Sequence, residues 1–391
     1  MKLVVAGFGQ CGGRIADEFS RMNKKARSQR GIEIITGTFA VNTDAADLSG
    51  ITNIKRDYRH RILIGSRKTG GHGVGKINEL GAEIAREDAD KVIDAIRTTK
   101  RFFETDAFLF IAGAAGGTGS GAIPVMAQHI KERYIDKPVY CLIVLPFEHE
   151  ETTEDRTIYN SATCLKSTYS VADAVFLVDN QRFVRKDSSI KNNLAKINEM
   201  IADPFYNLLC AGEEKKPKYI ASRVLDAGDI IQTIAGWSVI GFGKSELPLI
   251  RFARERSRDF RKKGSETLKG IQAMDEAISE LSLKCNPKDS KRALYLISAP
   301  SKEMNMDLVK ALGDYMRDIA PEALIRNGDY PRERGVLDVT VLLSELGDVE
   351  KVRDYYSKST ELIPEFKKRQ EETEVKLKII DDASKDIPSL L

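Results

Sequence analysis

Gly113-Ala114-Ala115-Gly116-Gly117-Thr118-Gly119-Ser120-Gly121 is the stretch on which the reading of this chain turns. It follows an apolar run of strand length, Ala107 to Ala112, and precedes a helix-like stretch, Ile123 to Tyr134. Five glycines in nine residues carry a conformational-entropy cost that an ordinary connection has no reason to incur. Without Cβ atoms, the backbone N–H groups can close on a phosphate while the N-terminus of the following helix adds positive partial charge. The alternative is a turn that lets a helix pack closely.

The same arrangement occurs at the start of the chain. Gly7-Phe8-Gly9-Gln10-Cys11-Gly12-Gly13 lies between the apolar run Lys2 to Ala6 and a helical pattern over Gly13 to Lys25, and it matches G-x-G-x-x-G. Taken alone it is a tight strand-to-helix turn or the cradle of a Rossmann-type NAD-dependent oxidoreductase. A dehydrogenase leaves the second glycine loop without a role, whereas a nucleotide with several phosphates uses both. Thr69-Gly70-Gly71-His72-Gly73-Val74-Gly75-Lys76 imitates a Walker A loop until Ile77, which stands where Ser or Thr would hold magnesium. It reads as a surface loop, or as a loop whose amides close over a terminal phosphate. Asn42-Thr43-Asp44 follows a second apolar run, at the strand end where open parallel sheets place ligand contacts. Asp44 there suits a magnesium-bound water and a dinucleotide ribose equally.

Further apolar runs at Glu33 to Val41, Arg61 to Ile64, Val139 to Leu145 and Ala174 to Val178 alternate with helical patterns at Gly81 to Thr99 and Thr157 to Val171. Strands this short and this continuously apolar predict a parallel sheet covered by helices on both faces. Ser188 to Leu209 carries Leu194, Ile197, Ile201, Phe205 and Leu208 at helical spacing and predicts one long helix, with Pro204 expected to kink or end it. A second unit follows, with helices around Asp229 to Ala235 and Ser265 to Leu283 and strands at Leu294 to Ala299 and Leu337 to Leu343. The expected division is 1–187 for nucleotide binding, 188–212 for the central helix, 213–346 for a smaller α/β domain, and 347–391 for a charged helical extension and tail.

Composition bounds the function. The 391 residues suffice for two or three domains, and 61 basic against 58 acidic side chains exclude a protein built around a nucleic-acid backbone. Five scattered cysteines without a CxxC argue for a reducing compartment and against structural zinc, so no protein metal site is expected. Without a signal peptide or a membrane-length apolar run, the expectation is a cytoplasmic protein.

Gly9-Gln10-Cys11-Gly12 resembles the first loop of tubulins, and Gly116-Gly117-Thr118-Gly119-Ser120-Gly121 resembles the tubulin/FtsZ signature. Phe39-Ala40-Val41-Asn42-Thr43-Asp44 resembles the second FtsZ loop, and Ile64-Gly65 through Gly81 its third. The mixture is most similar to CetZ, the tubulin-like archaeal branch associated with cell shape. The resemblance implies an α/β fold with a long central helix, GTP or GDP with Mg²⁺ as ligands, and head-to-tail protofilaments. An FtsZ-type division GTPase and a non-polymerising GTP-binding module are the alternatives.

Nucleotide-binding roles are then implied for Gly9, Gln10, Cys11, Gly12 and Arg14, for Asn42 and Asp44, for Gly73, Val74 and Gly75, and for Gly113, Gly116, Gly117, Thr118, Gly119 and Ser120. Pro146-Phe147-Glu148-His149-Glu150 is similar to the FtsZ ribose segment, with Glu150 at the ribose position. Where FtsZ has an arginine at the terminal phosphate this chain has Glu154, with Arg156 two residues on, so that role is unassigned. Asn180 and Asn198 match the guanine contacts; without the family each reads as a surface or capping residue. Leu225-Asp226-Ala227-Gly228-Asp229 resembles the synergy loop that completes hydrolysis in the neighbouring subunit, which makes Asp226 and Asp229 the catalytic candidates. Read locally, Asp229 is a helix N-cap and Asp226 a turn residue. Asp386-Ile387-Pro388-Ser389-Leu390-Leu391 resembles the FtsZ adaptor-binding tail and implies membrane or adaptor partners, with filaments at the inner face of the cell membrane; the alternative is a frayed terminus.

Overall fold

Strands buried on both faces need a helical layer on each side, and this requirement organises the first half of the chain. The computed structural model describes residues 1–184, 190–246, 260–333 and 335–384. Its first half runs β1 (Leu3–Phe8), α1 (Gly9–Arg30), β2 (Ile35–Asn42), α2 (Ala45–Ser49), β3 (Arg61–Leu63), α3 (Ser66–Thr69), α4 (Asn78–Glu87), α5 (Ala89–Arg97), β4 (Ala107–Gly113) and α6 (Thr118–Arg133). It continues through β5 (Val139–Leu145), α7 (Glu148–Thr153), α8 (Asp155–Val171) and β6 (Ala174–Asp179). The second half comprises α9 (Ile190–Ala211), α10 (Ala227–Thr233), β7 (Gly236–Glu246), α11 (Phe260–Ser279), β8 (Ser290–Ala299), α12 (Met306–Ile319), β9 (Leu324–Pro331), β10 (Val336–Leu346) and α13 (Glu350–Ser384).

All ten strands join one sheet in the order β3-β2-β1-β4-β5-β6-β7-β10-β8-β9. From β3 to β6 the pairing is parallel throughout. β7 links the halves: Gly236, Trp237 and Ser238 pair parallel with β6, and Val239 to Glu246 pair antiparallel with β10. Side chains alternate across the sheet, so Val4, Ala6 and Phe8 enter one core with Ile84, Ile123 and Met126, while Leu3 and Val5 enter the other with Ile15, Phe19 and Phe205.

Several sequence expectations shift in detail. Gly81 to Thr99 is two helices, because Asp88 leaves helical geometry and its carboxylate accepts a hydrogen bond from the Gly65 N–H at 2.7 Å. Pro204 does not end α9. The helix runs through it to Ala211, and the adjacent Phe205 is held between Phe19 and Phe176, with ring centroids at 5.5 and 5.3 Å. Burial on both sides outweighs one missing backbone hydrogen bond. β7, β9 and α12 have no counterpart in the sequence reading. Ser188 and the tail 386–391 lie outside the described residues.

Candidate functional site

β1 and β4 are neighbours, with Phe8 opposite Ala112 in register. Chain order reverses there, β2 lying beyond β1 and β5 beyond β4, which opens a crevice at the strands' carboxyl ends. The two glycine loops therefore meet: a Cβ added at Gly9 would stand 3.0 Å from the Gly119 nitrogen. α1 and α6 both start in this crevice without a side-chain cap and without an acidic residue in the first turn. Their free N–H groups and positive helix ends converge on one place, which suits an anion.

A cavity of about 780 Å³ opens over the two helix ends. Gly9, Gln10, Cys11, Arg14, Gly113, Gly116 and Gly119 line one wall. Glu150, Asn180 and Asn198 line the other, with Phe147, Leu194 and Ile197 as its apolar floor. Among the described residues neither asparagine carboxamide is spent on a protein partner, so both keep donor and acceptor for a ligand. The Gln10 amide donates to Asp47 at 2.6 Å, which leaves its carbonyl oxygen to the cavity. Glu150 Oε2 accepts from the Phe147 N–H at 2.9 Å and fixes the loop that bears it. Burial pushes the Cys11 thiol up to about 12, so it meets a ligand as a neutral group.

The remaining candidates shape the site from behind. Gly12 is buried, and a Cβ there would lie 2.0 Å from the Ile111 carbonyl oxygen, so it serves close packing of α1 on β4. Asn42 accepts from the Thr43 N–H at 2.8 Å and donates to Asp47 at 3.0 Å. Asp44 caps α2 by accepting from the Asp47 N–H at 3.0 Å. The third loop is tied to this one: the Gly73 N–H donates to Thr43 O at 3.1 Å, and Val74 is buried against Gly117. Gly75 is in the left-handed region at φ 56°. Thr118 shares a buried 2.6 Å hydrogen bond with Thr43, and the Ser120 hydroxyl donates to Gly116 O.

Lys76, unassigned from sequence, lines the cavity and pairs with Glu154 at 2.5 Å. Gly-Lys in a Walker-like loop was its signal. Arg156 is turned away, bonded to Glu79 and laid over the Tyr159 ring at 5.1 Å.

Asp226 and Asp229 do not line the cavity. The cap of α10 is Asp226, not Asp229: its Oδ1 accepts from the Asp229 N–H at 2.8 Å, because Asp226 holds the extended conformation that a cap requires. Asp229 pairs with Arg326 at 3.4 Å. Both lie near the far end of α9, where the Met1 amino group donates to Leu209 O at 3.1 Å and pairs with Glu213 at 2.9 Å. A Cβ at Gly212 would stand 3.3 Å from Asp226 Cα. Thirteen residues of helix separate Asn198 from Gly212, about 20 Å at ~1.5 Å per residue. The cavity and the acidic loop thus occupy opposite ends of the strands. Among the described residues, no three His, Cys, Asp or Glu side chains group as a metal site, and no helix is long and apolar enough to cross a membrane.

Comparison with known proteins fits this geometry. The family model for the Tubulin/FtsZ family, GTPase domain, matches residues 2–186, and that for the tubulin-like CetZ C-terminal domain matches residues 187–361. Tubulin-like protein CetZ1 of Haloferax volcanii is 32% identical over 382 residues, covering 90% of both chains. CetZ of Pyrococcus abyssi is 28% identical over 383 residues, covering 96% of this chain and 94% of its own. The solved GDP-bound monomer of H. volcanii CetZ1 aligns at TM-score 0.77 and 30% identity, covering 92% of this chain and 99% of that one. The GTPγS-bound protofilament of CetZ2 from the same organism aligns at 0.78 and 29%, covering 94% and 100%. The chain belongs to the tubulin/FtsZ family, in its tubulin-like CetZ branch, and carries that family's GTPase domain.

Proposed function

We propose that this chain binds GTP and GDP between its two glycine loops and assembles head to tail, so that Asp226 and Asp229 of one subunit complete GTP hydrolysis on the next. The observation that carries this reading is the separation of the two half-sites, about 20 Å of helix apart by ~1.5 Å per residue, which one chain cannot close. Stacking subunits end to end brings the acidic loop of one over the cavity of another. Such a heterologous contact repeats without closing and generates a filament. The GDP-bound and protofilament relatives support both halves of the proposal, and their family supports a cytoskeletal role in cell shape.

In this reading the helix ends and the loop amides hold the phosphates, Glu150 takes the ribose, and Asn180 and Asn198 read the guanine edge. Asp226 and Asp229 orient a water toward the γ-phosphate, whose own oxygens carry most of the developing charge. Asp226 is oriented by its cap hydrogen bond, and Asp229 lies beside Arg326. Mg²⁺ would neutralise the phosphate oxygens; among the described residues no three His, Cys, Asp or Glu side chains group as a cage for it, and we assign Asp44 a contact through magnesium-bound water. We place nucleotide binding in 1–187, the linking helix in 188–212 and assembly in 213–346. Filaments in the cytoplasm, and membrane or adaptor docking on residues 386–391, complete the proposal.

Phosphate release per subunit, measured against protein concentration, tests it. The rate should climb above a threshold concentration and fall at least about a hundredfold in Asp226→Ala or Asp229→Ala, in line with loss of general-base and positioning effects, while GTP still binds. A rate independent of concentration and of both substitutions would mean a self-contained site and no shared catalysis.

A further inference from the structure

The terminal phosphate of a bound triphosphate needs a cation, and the sequence position that would supply an arginine carries Glu154 instead. Arg156 is committed elsewhere, bonded to Glu79, stacked over Tyr159 and absent from the cavity wall. Three basic side chains line the cavity among the described residues: Arg14, Lys76 and His149. Arg14 also faces the adjoining hollow beside Leu194 and Asn198, on the α9 side. His149 is stacked on Phe147 with ring centroids at 5.5 Å, in the segment after β5. Of the three, only Lys76 is carried by the third glycine loop, the one tied to the signature loop.

Its backbone is fastened there. Asn160 Nδ2 donates to Lys76 O at 2.9 Å and to Ala115 O at 3.0 Å, so one buried side chain clamps the third loop to the signature loop. A Cβ on Gly117 would stand 2.9 Å from the Lys76 carbonyl carbon. Lys76 itself holds φ 61°, a left-handed conformation that glycine adopts freely and lysine adopts at a cost. Gly75 before it, at φ 56°, shows the local solution that carries no side chain. At Lys76 the strain comes with an ammonium group.

We propose that Lys76 is the terminal-phosphate cation of this chain, exchanging Glu154 for the γ-phosphate when a triphosphate is bound. The inference rests on the nucleotide reading above. Both partners of the Lys76–Glu154 pair are about two-fifths exposed, at 42% and 46%, so the pair is screened by water and readily broken. A γ-phosphate, with about two negative charges and the helix ends already holding its neighbours, is the stronger partner for an ammonium. Glu154 then acts as a competitor that the diphosphate state leaves in place, and the swap makes the affinity difference between GTP and GDP depend on Lys76.

Fluorescent GDP and a slowly hydrolysed GTP analogue, titrated with Mg²⁺ against the full chain, decide this. Lys76→Gln should weaken the triphosphate about tenfold or more and GDP less than about twofold, the loss expected of one charge-assisted contact. Glu154→Gln should tighten the triphosphate severalfold, and the double variant should match Lys76→Gln. Lys76→Gly, which relieves the backbone, separates charge from folding: it should lose the same preference with an unchanged melting temperature or a raised one. Equal losses for both nucleotides, or none, would overturn the role of Lys76 while leaving nucleotide binding intact. A parent chain that binds neither nucleotide would overturn the functional reading itself.

Discussion

Two adjacent glycines do different work, and alanine at each separates them. Gly116 lines the cavity with nothing within 4 Å of an added Cβ, whereas a Cβ on Gly117 would stand 2.6 Å from Val74 and 2.8 Å from the Ile77 nitrogen. Gly116→Ala should leave stability within about 0.5 kcal/mol of the parent and weaken nucleotide binding, because the methyl enters the cradle. Gly117→Ala should cost about 1–3 kcal/mol in urea unfolding, because it pushes the third loop off the signature loop. Equal behaviour of the two in melting and in titration would contradict this division. The cradles themselves were legible from glycine density, and family motifs pointed to Asn180 and Asn198, which line the cavity, and to Asp226 and Asp229, which do not. What spacing could not show is which polar groups are already used. Thr118, Ser120, Asn42 and Asp44 all spend hydrogen bonds on the loops, and only packing reveals it. Lys76 escaped because a Walker-like match that fails at Ile77 draws attention to the missing hydroxyl and away from the lysine before it.

At the scale of elements, apolar runs and helical spacing identified β1 to β6 and α9, and failed where glycine serves close approach. β7 reads as turn-rich because of Gly236, Gly241 and Gly243. The last two face α11, where a Cβ would lie 2.0 Å from the Ala277 and Ala273 carbonyl oxygens, so these glycines let a helix lie against the strand. β9 contains Asn327-Gly328, which imitates a hairpin turn, yet it pairs in register with β8 throughout. α9 offers the sharpest test of element packing. Phe205 is 3% exposed between Phe19 and Phe176, so Phe205→Ala should destabilise by about 3–5 kcal/mol and lower the melting temperature by several degrees. α13 is anchored differently: Tyr355 is 2% exposed and donates its hydroxyl to Glu151, while Lys351 reaches Asp179 at 2.8 Å. Tyr355→Phe keeps the ring and removes only that hydrogen bond, which leaves Glu151 short of a partner. A loss of about 1–3 kcal/mol is expected in urea unfolding, and no loss would show that water replaces the hydroxyl.

For the whole molecule, one sheet threads both halves, so the cores on its two faces respond together to conditions that charge buried groups. Cys141, Cys164 and Cys210 are at most 1% exposed and unpaired by disulfides. Burial pushes the Cys164 and Cys210 thiols up to about 12 and the Cys141 thiol well above its ordinary value. In the unfolded chain these thiols ionise near 8.5. Above that pH the unfolded state holds fewer protons than the native one, so stability falls as pH rises and is fully present below it. The slope reaches at most about 1.4 kcal/mol per pH unit for each thiol until the native groups themselves titrate. Urea midpoints taken from pH 7.5 to 9.5, below most tyrosine ionisation, should therefore decline, and a Cys141→Ala, Cys164→Ala, Cys210→Ala variant should start lower from lost packing but decline less steeply. Parallel declines in parent and variant would assign the alkaline loss to other groups and leave the thiols as packing alone.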